Sequence, residues 1–378
     1  GLIQPFPFTV QTELQYQIAL TCIPQIGSVQ SKILINHFGN AEFIFKEKKT
    51  MLEKIEGIGE IRARSIKKFD NFRRVEKENA FIEKYKITPL FLTDKNYPQR
   101  LLNCYDSPTL LYFKGNADLN CARIIALVGT RSPSEYGKLL VEKLVKDLSG
   151  LKVLVVSGLA FGIDTLAHKA AMKNGLLTLA VLGHGLDIIY PTEHTSIAKE
   201  MISYGGLLTE FMSQTKPDKH HFPIRNRIVA GISDATIVLE TGMKGGSMIT
   251  AELANGYNKD VFAFPGKIID HKSCGCNELI RTNKAILITD AAELIETMGW
   301  SERQADEKKS SRQRELFVQL TENEKKVVDI LMEKQTAHVD ELKMGSKMSN
   351  SAAAAAILSL EMQGLISAMP GSMYALNV

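Results

Sequence analysis

Between residues 124 and 290 the chain repeats one pattern: a short apolar run, a turn of small residues, then a stretch of helical length. The runs are Ile124–Val128, Val153–Val156, Thr178–Leu182, Leu207–Thr209, Ala235–Leu239 and Val261–Phe264, with a weaker one at Ile286–Ile288. Strands that are apolar throughout, rather than at alternate positions, are covered on both faces. Alternation with helices makes that an α/β fold with a parallel sheet between helical layers. Ligands of such sheets bind beyond the carboxyl ends of the strands. Functional residues are therefore sought directly after each run.

The first run ends in Val128-Gly-Thr-Arg-Ser-Pro-Ser-Glu-Tyr-Gly137. Gly129 lets backbone approach a ligand, and Arg131 sits at the mouth of the sheet. The planar fork of an arginine suits phosphate oxygens; an ion pair with Glu135 is the competing use. The second run ends in Ser157-Gly158, with Asp164 and His168 four apart on one helical face. That spacing fits a catalytic pair less well than a structural hydrogen bond at the helix start, and Ser157 is free to donate to an anion. The third ends in Gly183-His-Gly-Leu-Asp-Ile-Ile-Tyr-Pro191, a turn-rich loop with an aromatic rim.

After the fourth run comes Lys216-Pro-Asp-Lys-His-His-Phe-Pro-Ile-Arg-Asn-Arg227. Cations interleaved with an aromatic suit a single nucleic-acid strand, whose bases stack while its phosphates follow the cations. Lys216, Lys219, Phe222, Arg225, Asn226 and Arg227 are the candidates. Arg225 and Arg227 diverge by about 200° on a helix, so one can bind ligand while the other holds the fold. After the fifth run, Gly245, Gly246, Ser247 and Thr250 open a helix whose free N–H groups suit an anion.

Several classes are excluded. A phosphate loop of the Gly-x-x-x-x-Gly-Lys-Ser/Thr type is absent, and Gly-Thr-Arg stands where a dinucleotide fingerprint would begin. Cys274-Gly-Cys276 lacks the second half of a zinc site, so neither metal nor cofactor is expected. No run of about 18 apolar residues offers a membrane span. Five scattered cysteines argue against a disulfide framework and for a reducing, cytoplasmic setting. The first dozen residues lack the features of a signal peptide.

The flanks read differently. Residues 11–80 form short helices in which Gly27 and the pair Gly57 and Gly59 mark two similar turns, resembling helix-hairpin-helix motifs, with Arg62 and Arg64 beside the second. DNA contact and plain packing are equally compatible with that module. Residues 301–318 are polar without an apolar face, a linker composition. Residues 319–378 begin with a Thr321/Glu324 capping box and continue as three helices and a hairpin, the pattern of a winged helix. Its presumed recognition helix, residues 351–363, has a run of alanines and no Lys or Arg, so a protein-binding or structural role fits it better than base reading. This tail holds five basic and seven acidic residues, against 24 and 22 in residues 81–300. The net charge of +4 is therefore a difference between modules and says little about any one surface.

Taken in order, Gly129-Thr-Arg131 with Tyr136 and Gly137, Ser157-Gly-x-Ala-x-Gly-Ile-Asp-x-x-Ala-His168, Tyr190-Pro191, Phe222-Pro-x-Arg-Asn-Arg227, Gly246-Ser-x-x-Thr-Ala251 and Pro265-Gly266 closely resemble the bacterial DNA processing protein A family, DprA or Smf. The resemblance covers nearly the whole chain. It implies an extended Rossmann-like domain, 81–300, between a helix-hairpin-helix (SAM-like) domain, 11–80, and a winged helix, 319–378. It further implies a non-enzymatic homodimer that binds single-stranded DNA without sequence preference and loads the RecA recombinase in natural transformation. Single-stranded DNA-binding protein is a further partner consistent with it. By the same resemblance Arg131 occupies the phosphate pocket, Arg225 and Arg227 line it, and either Lys216 or Lys219 touches DNA. Leu279-Ile-Arg-Thr-Asn283 departs from the family's Leu-Ile-x-x-Gly, which puts one turn in question. The rival is a nucleotide phosphoribohydrolase, whose Pro-Gly-Gly-x-Gly-Thr-x-x-Glu is matched only loosely by Lys244-Gly-Gly-Ser-Met-Ile-Thr-Ala-Glu252.

Overall fold

The computed structural model describes residues 12–300, 320–363, 365–369 and 372–376. The linker reading of 301–318 falls outside the described residues. The chain divides into two compact units, Gly1–Ser301 and Glu302–Val378.

The first unit opens with six helices: α1 (Glu13–Cys22), α2 (Ser28–Phe38), α3 (Ala41–Lys46), α4 (Lys49–Leu52), α5 (Gly59–Lys67) and α6 (Phe72–Tyr85). Gly57 and Gly59 take the left-handed conformation at φ +83° and +66°, which a β-carbon would disfavour. Arg62 ties the two hairpin turns together, donating to the carbonyls of Gln25 at 3.1 Å and Gly57 at 3.2 Å. Arg64 pairs with Glu60. The two cations beside the turn are thus engaged within the module. The apolar faces of these helices share one core with Phe91, Leu110 and Tyr112 of the neighbouring sheet.

That sheet has nine strands: β1 (Thr88–Phe91), β2 (Leu110–Gly115), β3 (Ile124–Val128), β4 (Leu154–Ser157), β5 (Thr178–Val181), β6 (Gly205–Thr209), β7 (Ala235–Val238), β8 (Asp260–Ala263) and β9 (Ile286–Leu287). The order is β1-β2-β6-β5-β4-β3-β7-β8-β9. From β6 to β9 all pairs are parallel, whereas β2 pairs antiparallel with both β1 and β6. The seven runs read from the sequence thus form the parallel sheet expected of them, and β1 and β2 add an antiparallel edge that makes the whole sheet mixed. Helices fill the connections: α7 (Gln99–Leu102), α8 (Glu135–Asp147), α9 (Ile163–Lys173), α10 (Thr195–Met201), α11 (His221–Ile232), α12 (Gly246–Gly256), α13 (Cys274–Arg281) and α14 (Ala291–Thr297).

The continuous apolar strands have the expected cause. In β3, Ile124, Ala126 and Val128 enter the core on one face of the sheet and Ile125 and Leu127 the core on the other. Each fully buried aliphatic side chain contributes about 1.5–3 kcal/mol. A single polar replacement there would consume much of a domain's usual margin of about 5–15 kcal/mol. At the end of α13, Asn283 occupies the left-handed region at φ +55°, with Lys284 N–H closing on Leu279 O at 2.8 Å. Asparagine tolerates this conformation better than most residues, so the turn is kept where the family has glycine.

The second unit contains α15 (Glu322–Lys334), β10 (Thr336–His338), α16 (Val339–Ser346), α17 (Asn350–Met362), β11 (Ile366–Met369) and β12 (Met373–Leu376). The expected hairpin gains a third strand, in the order β10-β12-β11. The capping box forms, and Glu324 also accepts from Ser359 Oγ at 2.6 Å, joining α15 to α17.

Candidate nucleic-acid interface

The chain runs from β3 outward through β4 and β5 to β6, then returns to place β7 on the other side of β3. Loops leaving β3 and β7 diverge at this reversal and leave a crevice between them, the usual ligand position in open α/β sheets. Here it is a cleft of about 900 Å3. Its walls come from residues 128–132 after β3, 158–160 after β4, Tyr190 after β5, the 217–226 segment after β6, the 241–250 segment after β7, and His271 and Lys272 after β8.

Arg131 lines this cleft and is exposed. Among the described residues it has no hydrogen-bond or ion-pair partner. Glu135, the competing partner suggested by sequence, holds Lys138 instead at 2.6 Å. Arg225 forms the floor, only 5% exposed. It projects from α11 and donates to the carbonyls of Gly158 and Val181, at the ends of β4 and β5. Gly158 makes room for it, because a β-carbon there would lie 2.3 Å from the guanidinium. Asp164 is the counter-charge. Burial raises its carboxyl above the ordinary range, with Arg225 opposing the rise, and it accepts the N–H groups of Gly158 at 3.1 Å and Ala160 at 3.3 Å. Burial lowers the guanidinium pKa of Arg225, Asp164 opposes this, and Arg131 lowers it further. Two arginines therefore share one field, which an anion between them would relieve.

Opposite Arg131, α12 begins at Gly246 with Gly245 as its N-cap, and both glycines line the cleft with Ser247 and Thr250. Ser247 Oγ donates to Thr241 Oγ1 at 2.7 Å, and Thr250 Oγ1 to Gly246 O at 3.1 Å. These hydroxyl protons brace the loop, leaving backbone N–H groups for a ligand. Asn226 lines the wall and reaches Gly246 O at 3.3 Å. Phe222 lies 6.0 Å from the Arg225 guanidinium and 5.8 Å from the Tyr190 ring. Gly129 borders the cleft as well.

The expected binding roles of Ser157 and Arg227 are corrected, and the alternatives left open elsewhere are separated. Ser157 is fully buried, and its hydroxyl donates to Leu127 O at 2.6 Å; it does not reach the cleft. Arg227 points away, bound to Asp106 O and paired with Glu210. Lys219 lines the cleft whereas Lys216 does not. Asp164 and His168 do not bond to each other: His168 Nδ1 lies 2.6 Å from Thr178 Oγ1, and burial pushes its pKa down to about 3, leaving it neutral. Tyr136 and Gly137 support the site from outside. The phenol donates to Pro265 O at 2.7 Å, and a β-carbon on Gly137 would lie 2.4 Å from Glu240 Oε2.

Lys244, His271 and Lys272 line the cleft and were not singled out from the sequence. Looking beyond Pro265-Gly266, to the rest of the segment after β8, would have found the last two. The cleft has five cationic residues (Arg131, Lys219, Arg225, Lys244, Lys272) against the carboxylates of Asp164 and Asp218. A convergent positive field focused by low-dielectric walls attracts polyanions. Glu252, the carboxylate a phosphoribohydrolase reading would need, lies outside the cleft and pairs with Lys284 at 2.6 Å.

Comparison with known proteins places this architecture. A family model described as DNA recombination-mediator protein A matches residues 88–299, more than half of the chain. The chain belongs to this family. A helix-hairpin-helix model matches residues 18–77, and the DprA winged-helix model residues 317–372. The DNA processing protein DprA of Streptococcus pneumoniae is 39% identical over 226 residues, covering 60% of this chain and 79% of the relative. Protein Smf of Synechocystis is 33% identical over 295 residues, covering 76% and 73%. Among solved structures, DprA from Streptococcus pneumoniae matches with a TM-score of 0.63 and 33% identity, over 76% of this chain and 98% of that one. DprA from Helicobacter pylori, solved to describe its single-stranded DNA binding mode, matches with a TM-score of 0.52 and 30% identity, over 57% and 96%. As a member of the recombination-mediator family, the chain is a DNA-processing protein of recombination, and no helix among the described residues is long and apolar enough to cross a membrane.

Proposed function

We propose that the chain binds single-stranded DNA without sequence preference in the cleft beyond β3 and β7, and delivers it to the RecA recombinase. The observation that carries the reading is Arg131: an exposed arginine with no partner among the described residues, facing a cationic cleft and the start of α12. The N–H groups at the start of α12 belong to backbone and can donate to phosphates without reading base identity. The single-stranded DNA binding described for the Helicobacter pylori relative supports the same ligand here. Lys219, Lys244 and Lys272 would follow neighbouring phosphates, and Phe222 with Tyr190 would offer rings to a base.

The test is an oligonucleotide titration at low salt. Arg131→Ala should weaken binding at least tenfold with an unchanged melting temperature; an unchanged affinity overturns the assignment. Delivery is tested separately, by following RecA filament growth on strands covered with single-stranded DNA-binding protein. The parent chain should speed it and Arg131→Ala should not.

A further inference from the structure

Among the described residues, Ile268 and Ile269 are the most exposed large apolar side chains, adjacent in sequence and 94% and 88% exposed. They sit at the tip of the segment between β8 and α13. That tip is not a loose end. Asp270 N–H closes on Lys267 O at 3.0 Å and Ser273 N–H on Asp270 O at 3.0 Å. Lys272 Nζ bonds Ser132 O at 2.7 Å, fastening the segment to the residue after Arg131. The same segment contributes His271 and Lys272 to the cleft wall. Two isoleucines are thus held out from the lip of a cationic cleft, with Lys267 and Lys272 on either side.

We propose that Ile268 and Ile269 form an apolar wedge that inserts between bases of the strand held in the cleft. The inference rests on the reading that the cleft holds single-stranded DNA. Its logic follows from the order of the strands. Tyr190 and Phe222 follow β5 and β6, whereas the isoleucines follow β8. Between β5 and β8 lie four inter-strand spacings, about 19 Å. Arg131 and the start of α12 stand between those two limits. A strand laid across the sheet end, with a phosphate at Arg131, meets aromatic rings on one side and the isoleucines on the other. The cationic side chains of the cleft take the phosphates, which leaves the bases to meet Tyr190 and Phe222 in its wall and the isoleucines at its lip. Apolar side chains held rigidly are what proteins use to part stacked bases, and the flanking lysines keep the backbone close while they do so.

The experiment compares two polymers on the full chain: an oligothymidylate long enough to cross the sheet end, and an abasic deoxyribose-phosphate polymer of equal length. The double variant Ile268→Ser/Ile269→Ser, which exchanges only exposed side chains, should bind oligothymidylate about tenfold more weakly and the abasic polymer as the parent does. Parent-like affinity for oligothymidylate overturns the wedge. Equal loss on both polymers also overturns it, since the segment would then act only by shaping the cleft. A lower sedimentation coefficient for the DNA-free double variant overturns it in favour of contact with a second copy of this chain. Arg131→Ala, run alongside, separates the two readings. If it leaves both polymers bound as before, the cleft assignment itself fails. If it weakens both while the double variant weakens neither, only the wedge fails.

Discussion

The cleft and the winged helix make opposite use of similar means. Each presents the start of a helix to solvent, α12 in one and α17 in the other. Around α12 the loops after β3, β6 and β8 bring Arg131, Lys219 and Lys272 into one cleft. On α17, the helix that a winged fold would place in a DNA groove, positions 354 and 355 are exposed alanines, and Leu358 and Met362 are exposed at 58% and 82%. Base edges and phosphates need donors, and this helix has no Lys or Arg to supply them. A fold associated with DNA does not make a surface that binds it. What the cleft adds is convergence, which neither fold nor net charge reports.

This contrast can be broken or sharpened by mutation. The largest effect should come from an arginine that only resembles a binding residue. Arg227→Met leaves Glu210 buried without its partner and should cost about 3–5 kcal/mol of stability, read as a fall in melting temperature. The fraction that stays folded should bind oligonucleotide normally. Gly158→Val comes next. Its side chain would displace the Arg225 guanidinium, costing about 1–3 kcal/mol and, unlike Arg227→Met, weakening binding of the folded fraction as well. Arg131→Ala should reverse that pattern, with at least a tenfold loss of affinity at unchanged stability. It should also make the salt slope shallower by about 0.7, the contribution of one phosphate contact on a single strand. The smallest effects concern the winged helix. Removing residues 319–378 should leave oligonucleotide affinity within about twofold; a larger loss would mean that this unit does contact DNA. Ala354→Lys/Ala355→Lys should raise affinity at low salt by no more than about threefold and lose the gain as salt is added. A tenfold gain would show that charge without convergence is enough.

The fold was legible where periodicity speaks. Seven of the strands follow from apolar runs alternating with helical stretches, and Thr321 with Glu324 announced α15. The edge formed by β1 and β2 was not. Thr88-Pro-Leu-Phe91 is short and contains proline, and both strands lie before the repeating pattern starts. Within the site, Arg131 was legible because its position after a strand and a glycine determines where it points. The placement of Arg225 on the cleft floor and of Arg227 turned away from it was legible only as an alternative. What decides it is remote in sequence: the carbonyls of Gly158 and Val181 on one side, Glu210 and Asp106 on the other. Ser157 misled for a related reason. As the last residue of β4 it stands one position short of the loop, and the backbone of β3 takes its hydroxyl.

The walls of the cleft are loops hung from different strands and tied by bonds that cross from one to the next, among them Thr130 N–H to Glu240 O at 2.6 Å and Ile163 N–H to Thr130 O at 3.1 Å. Asn226 to Gly246 and Lys272 to Ser132 are two more such bridges. An occupant touching all the walls would act as a further strut across pieces of chain from Arg131 to Lys272, more than a hundred residues apart. Amide exchange should then slow together throughout these loops when oligonucleotide is added, in segments that never touch it, and the first unit should melt progressively higher as free oligonucleotide rises above its dissociation constant.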